Sequence, residues 1–310
     1  MLLIRGFGRN ANSISVKLAL AVFAAVAMCA MGSPALGEGG LRFSTGLSGL
    51  EITPVIIEKE LGRFLWLPDT RVGQFTVANR GEREVVVSAQ IMGLTHDEDG
   101  NIDLMPCPPE LANALILSPA GQIAVAPGST GVIRVTLDRA YASRRDKGGL
   151  CVALVVAGVP IRSRLLQPGV EIGSCITLPV MVRLAGRDQA RLAFLGVGAQ
   201  GGAEDRPIVT MRVANEGAAY AKVDGRALIS AADGSSAIEA RITPALVLPG
   251  CVRACPLELP ETQLLPGDYR ATVQLRADGK AAGCAEFALR MYESGRVQAT
   301  DITTSSPGRP

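Results

Sequence analysis

Residues 75 to 81 read Phe75-Thr76-Val77-Ala78-Asn79-Arg80-Gly81, and residues 211 to 217 read Met211-Arg212-Val213-Ala214-Asn215-Glu216-Gly217. Each stretch closes a strand-like run, and each is followed by another. A second landmark recurs downstream in the same order. Ser118-Pro119-Ala120 precedes Val125-Ala126-Pro127-Gly128, and Thr243-Pro244-Ala245 precedes Val247-Leu248-Pro249-Gly250. Asn-x-Gly and Pro-Gly supply the φ values on which a change of strand direction hangs. The repetition therefore describes one β-rich module present twice. Two long copies are too few for a solenoid.

The first copy reads as strands over Leu50–Ile57, Val72–Val77, Glu84–Met92, Leu115–Leu117, Gly131–Leu137, Leu150–Val159 and Val170–Leu184. The second reads as strands over Leu192–Val197, Ile208–Val213, Ala221–Ser230, Ile238–Ile242, Val252–Leu257, Tyr269–Arg276 and Ala285–Tyr292. Short β-branched or alternating runs bounded by Gly, Pro, Asn and Asp are the pattern of antiparallel sandwiches. The expected fold class is all-β, two tandem immunoglobulin-like β-sandwich domains. Pro109–Asn113 is the one helix candidate, no more than a turn. Tyr269, following Leu265-Pro266-Gly267-Asp268, is placed for a tyrosine corner; an ordinary half-buried strand Tyr is the alternative.

Arg5, Arg9 and Lys17 precede an uncharged run from Leu18 to Met31 and the small residues Ala35 and Gly37. That is the pattern of a secretory leader over residues 1–37, with an apolar core short of the roughly 20 residues a membrane span needs. Val26-Ala27-Met28-Cys29 leaves a lipoprotein alternative, with Met where a small residue is wanted. The expected divisions are then 38–187 for the first domain, 188–293 for the second and 294–310 for a disordered tail rich in Ser, Thr, Gly and Pro. The expected location is periplasmic or extracellular.

The formal charge of +2 includes the leader's cations, so the mature chain is near neutral and nothing points to nucleic acid. Cys107, Cys151, Cys175, Cys251, Cys255 and Cys284 survive cleavage, and an oxidising compartment makes them possible disulfide cysteines. Their connectivity is open. Cys251-x-x-x-Cys255 has no second Cys or His pair to complete a zinc site, so no metal is expected.

His96 is the sole histidine, which leaves any His-dependent catalytic triad a single possible base. Asp97-Glu98-Asp99-Gly100-Asn101 lacks the later bidentate Glu of a calcium-binding EF-hand loop. A solvated turn with an exposed His96 is the expectation. No glycine-rich phosphate loop precedes a helix. The reading is of a protein that is not an enzyme and uses no cofactor.

Leu50-Glu51-Ile52-Thr53-Pro54-Val55-Ile56, the Val-Ala-Asn-Arg-Gly corner, Ile116-Leu117-Ser118-Pro119 and Ala126-Pro127-Gly128-Ser129-Thr130-Gly131-Val132-Ile133-Arg134-Val135 follow one another in an order that resembles the PapD-like periplasmic chaperones of pilus assembly. The resemblance covers nearly all of the mature chain. It implies two domains in an L that hold an exported, pilin-like subunit, with an outer-membrane usher as a further partner. The chaperone lends the last strand of its first domain to the subunit. Here that donor strand is Val170–Leu184, with Val170, Ile172, Ile176 and Leu178 alternating on one face. Alternatively, the same four side chains face this protein's own core.

The family also grips the subunit's terminal carboxylate with two basic residues. The matching positions here are Pro54 and Pro179, which carry no charge, and no Arg or Lys lies between Leu50 and Ile57 or between Val170 and Val182. The clamp is missing. Arg183 and Asp278 fall where the family has a charged contact between domains; the alternative is that Asp278-Gly279 is simply a hairpin turn. Three functions follow: a chaperone-like protein binding an exported subunit, a structural or adhesive envelope protein without chaperone activity, and a hydrolase resting on His96 alone.

Overall fold

The computed structural model describes residues 43–45, 49–64, 67–68, 70–143, 148–161, 173–184, 190–201, 207–234, 237–259, 265–293 and 296–305. The leader expected over 1–37 lies outside them. The chain divides into two compact units, one formed by residues up to Thr95 with Ile102–Arg187, the other by His96–Asn101 with Asp188–Pro310.

The first unit is a sandwich of two sheets. One sheet has the order β1 (Phe43–Thr45), β2 (Leu50–Thr53), β6 (Arg71–Asn79), β11 (Thr130–Leu137), β9 (Leu115–Ser118). The other runs β10 (Gln122–Val125), β7 (Val85–His96), β12 (Gly149–Pro160), β13 (Ser174–Leu184), β3 (Ile57–Leu61), with β8 (Ile102–Met105) hairpinned to β7. A small ribbon, β4 (Arg63–Phe64) with β5 (Leu67–Pro68), stands apart. Period-two alternation sends Phe75 and Val77 of β6, Ile133 and Val135 of β11, and Val152, Leu154 and Val156 of β12 into one shared core.

The sequence suggested one opening strand through Leu50–Ile57; the structure breaks it at Pro54. The Thr53–Pro54 bond is cis, and Pro54 has no N–H to continue a ladder. The segment before it pairs antiparallel with β6, whereas β3 pairs parallel with β13, Ile57 opposite Val180. One stretch of chain thus serves both layers. Two short helices complete the unit, α1 (Pro109–Ala112), as expected, and α2 (Arg139–Ser143), which the sequence reading missed. Tyr141 of α2 is buried and donates from its hydroxyl to Gly149 O at 3.0 Å.

The second unit is a single curled sheet in the order β14 (Leu192–Gly201), β15 (Pro207–Asn215), β18 (Val252–Glu258), β17 (Ala237–Val247), β16 (Ala221–Ala231), β19 (Gly267–Ala277), β20 (Lys280–Met291), β21 (Val297–Ser305). Strands β17 and β18 meet only at Arg241–Glu258 and Ile242–Leu257. At that narrow seam the sheet folds over, and β14 and β21 approach one another around a core that includes Met211, Val213, Ile229 and Phe287. The tail expected to be disordered is in part β21, paired with β20 from Met291–Val297 to Cys284–Ser305. Ser and Thr composition misled here: the chain returns onto an open edge of β20, where main-chain bonding outweighs weak side-chain hydrophobicity.

The sequence repeat is realised bond for bond. Asn79 Nδ2 donates to Arg83 O (2.6 Å) and Val125 O (2.8 Å), and its Oδ1 accepts from Gly81 N–H (3.0 Å). Asn215 Nδ2 donates to Ala219 O (2.8 Å) and Val247 O (3.0 Å), and its Oδ1 accepts from Gly217 N–H (3.0 Å). The main chain repeats as well: Asn79 N–H to Ser129 O and Gly128 N–H to Asn79 O match Asn215 N–H to Cys251 O and Gly250 N–H to Asn215 O. Each Asn is buried, which is tolerable because its amide is satisfied. Each locks the corner after one strand to the Pro-Gly turn leading into the next.

Topology follows the repeat. Strands β6 and β11 correspond to β15 and β18, and β7, β12 and β13 to β16, β19 and β20. The segment that splits into β9 and β10 at Ser118-Pro119 runs unbroken as β17 through Thr243-Pro244. In the first unit its two pieces pair with different layers, β9 with β11 and β10 with β7; in the second, β17 pairs with β16 from Ala237 to Val247 and touches β18 only at Arg241 and Ile242.

Candidate functional site

Strands β13 and β20 hold equivalent places, yet their outer edges differ. β20 is paired along most of its length on both sides, with β19 and with β21. β13 is paired with β12 from Ser174 to Arg183, but β3 covers its other side only from Val180 to Leu184. Among the described residues no strand pairs with the outer side of Cys175–Pro179. In a strand of this length every second residue directs its N–H and C=O outward, so this segment presents main-chain groups to whatever comes alongside.

The side chains divide along the strand. Ile176 and Leu178 are buried in the unit's own core, the second of the two alternatives the alternation allowed for them. The sequence pattern could not choose, because a strand that donates side chains and one that lines a core alternate identically. Val170 and Ile172 lie outside the described residues. On the opposite face Cys175 is exposed and Thr177 is half-buried. Val159 of β12, 48% exposed, lies near the start of β13, within 3.5 Å of where a Cβ on Gly173 would stand, and Ile161 is also exposed.

Pro179 is buried opposite Ala153. Pro54 precedes by three residues Ile57, which is the partner of Val180. The two prolines therefore stand at the same end of the β3–β13 pair, and neither offers charge or a donor. Arg183 is half-buried opposite Gly149. Asp278 and Gly279 have φ of 53° and 77°, and Ala277 pairs with Lys280. They form the two-residue hairpin loop of β19 and β20, with Asp278 Oδ1 accepting the Lys222 N–H at 3.2 Å.

None of the six cysteines forms a disulfide, contrary to the expectation from compartment. For Cys151 and Cys175 the register supplies the reason. Cys151 sits opposite Met181, six residues along β13 from Cys175. At about 3.3 Å per residue that is far beyond the ~7 Å that a disulfide can bridge between Cα atoms. Cys251 and Cys255 are similarly separated along one extended segment. Burial pushes the Cys255 thiol up to about 11, the state of an inert core sulfur.

The tyrosine corner is present: Tyr269 donates from its hydroxyl to Leu265 O at 2.7 Å. No group of His, Cys, Asp and Glu suited to a metal ion occurs among the described residues. No described helix is long and apolar enough to cross a membrane.

His96 departs from its expectation. It is buried, with 8% exposure, and the 96–101 loop belongs to the second compact unit. Asp97 caps the loop by accepting from Asn101 N–H (2.8 Å) and Asn101 Nδ2 (2.7 Å); these bonds hold its carboxyl below the usual range. Glu98 and Arg212 form a bidentate pair at 2.5 and 2.9 Å, and Glu98 O accepts the Ala254 N–H. Acidic composition suggested a solvated turn. The Asx cap and the Arg pair fold it instead onto β15 and β18.

No protein-family model matches the chain, and no curated protein matches it. Solved structures to which it is similar include chaperones and chaperone–subunit complexes. The Class 5 fimbriae chaperone CfaA is 11% identical, with 82% of this chain and 99% of that one covered and a TM-score of 0.41. The YadV chaperone is 12% identical, with 77% and 99% covered and a TM-score of 0.38. The Salmonella enterica SafA pilin in complex with the SafB chaperone gives 12% identity, 80% and 100% coverage and a TM-score of 0.39. Identities and TM-scores this low do not carry a function across.

Proposed function

We propose that this protein is a chaperone-like component of the cell envelope that holds an extended segment of an exported subunit against the open edge of β13. The observation that carries the reading is the contrast between equivalent strands: β20 has a pairing partner along its outer edge, and Cys175–Pro179 of β13 has none among the described residues. Affinity comes from main-chain hydrogen bonds to the incoming strand. Ile176 and Leu178, buried in the unit's own core, hold β13 rigid from beneath. Pro54 and Pro179 carry no charge, so binding does not depend on a charged grip of a terminal carboxylate. Arg183 adds a cation to the same strand.

The test uses Cys175, which lies within the open segment. The mature chain, isolated from the envelope compartment of its source, should carry a smaller exported protein, and the dissociated chain should recapture it. Coupling a bulky maleimide to Cys175 should abolish recapture, while Cys175→Ser should recapture normally after the same treatment. Recapture undiminished by the adduct would overturn the proposal. The loss of basic residues at 54 and 179 favours a second reading, a structural or adhesive protein; in that case the chain emerges monomeric or self-associated, with no smaller subunit bound.

A further inference from the structure

The buried imidazole of His96 has both nitrogens engaged. Nδ1 lies 2.8 Å from Asp97 O, and Nε2 lies 3.1 Å from the Leu248 nitrogen. A carbonyl oxygen can only accept and a backbone N–H can only donate. The geometry therefore fixes one neutral tautomer: Nδ1–H donates to Asp97 O, and Nε2 accepts from Leu248 N–H. A second proton on Nε2 would set two donors against each other with no water between them. Leu248 belongs to the Val247-Leu248-Pro249-Gly250 turn that Asn215 anchors through Val247 O and the Gly250 N–H.

The charges around the ring make that second proton costly. Arg253 of β18 reaches over the loop so closely that a Cβ on Gly100 would stand 0.9 Å from its Nη1, and its Nε is buried without a hydrogen-bond partner. The turn from Val247 to Gly250 carries no charge. On the loop itself Asp97 attracts an imidazolium, Glu98 is bound to Arg212 of β15, and Asp99 is drawn to Arg253. Burial is the largest influence on the ring and lowers its proton affinity; Arg253 works in the same direction, and the Asp97 carbonyl and carboxylate oppose it.

We propose that His96 is an acid-operated latch: neutral, it clasps the 96–101 loop to the Leu248 turn, and protonated, it releases them. A group whose folded-state proton affinity is depressed stabilises the clasped form fully above its unfolded titration midpoint, near 6.5. That stabilisation is lost as pH falls from there through the folded midpoint. The release lies on the acid side of pH 6.5.

The test is hydrogen–deuterium exchange of the full mature chain between pH 8 and pH 4, corrected for intrinsic exchange and read at Leu248 and the 96–101 amides. Protection should fall by about tenfold for every pH unit separating the imidazole's folded and unfolded midpoints. His96 is the sole histidine, so its midpoint is read directly by NMR and should lie below 6.5. His96→Gln keeps an acceptor of similar reach without the proton and should hold protection level through the range down to pH 5. His96→Phe should show low protection at every pH. Wild-type protection that is flat from pH 8 to pH 4, or an unchanged pH dependence in His96→Gln, would overturn the latch; the second result would place the titration on a group other than His96.

Discussion

Replacing Asn215 with Ala removes a side chain that makes three short hydrogen bonds within the second unit, two to the carbonyls of Ala219 and Val247 and one from the Gly217 N–H. A fourth, from the Arg191 N–H, is longer at 3.3 Å. The side chain is buried, so the abandoned groups do not all recover water. At about 1 kcal/mol per bond, and more where a carbonyl stays dry, the loss is about 3 to 4 kcal/mol. That is a large part of the ~5–15 kcal/mol available to a typical domain. With a urea dependence of ~2 kcal/mol per molar, the midpoint of the second unit's transition should fall by about 1.5 to 2 M. Asn79→Ala removes the same bond set from the first unit, so it should shift that unit by a similar amount and leave the other in place. Urea titration with peptide-resolved hydrogen exchange reports the units separately. Shifts under about 0.3 M in both variants would refute the claim that the repeated asparagines lock the two corners.

Further outcomes follow from single contacts. Tyr269→Phe loses the bond to Leu265 O and should cost about 1 kcal/mol in urea melts, with no change in fold by circular dichroism. Gly279→Ala should cost about 1 kcal/mol through its φ of 77° alone, since nothing lies within 4 Å of the new Cβ; Gly225→Ala, whose Cβ would fall 2.3 Å from Gln274 O, should cost several times more. Ile176→Ala opens a hole in the first unit's core and should cost about 2 to 4 kcal/mol. Because none of the six cysteines is bridged, reductant should leave the urea midpoint unchanged.

The parts of this architecture that were legible in the sequence are those that backbone chemistry dictates. Asn79, Asn215 and the two Pro-Gly turns are demanding positions that only a few residue types fill, so they mark both copies of the module. Tyr269 was legible for the same reason. What escaped were choices made by pairing rather than by residue type. Pro54 ends one ladder, but only the sheets themselves show that the chain then crosses to the other layer. Val297–Ser305 reads as a polar tail, and an available edge on β20 turns it into a strand. His96 and its acidic neighbours read as a solvated loop because the sequence does not reveal that Arg212, Arg253 and the Leu248 N–H await them.

The candidate site was legible only in outline. The family resemblance singled out the strand that carries Ile176 and Leu178, and its alternation left two orientations open; the structure directs both side chains into the core, which leaves the backbone edge as the feature to use. That Pro54 and Pro179 stand where the resemblance implies basic residues was plain from the sequence. The disulfide expectation failed because compartment says nothing about register, and register holds Cys151 and Cys175 apart.

Amide exchange across Cys175–Pro179, measured on the chain alone and on its complex with the co-purified subunit, bears most directly on an open β13 edge. The outward-facing amides of this segment should exchange quickly in the isolated chain and become strongly protected in the complex, with β20 unchanged. Equal exchange in both samples, with protection arising elsewhere, would contradict it.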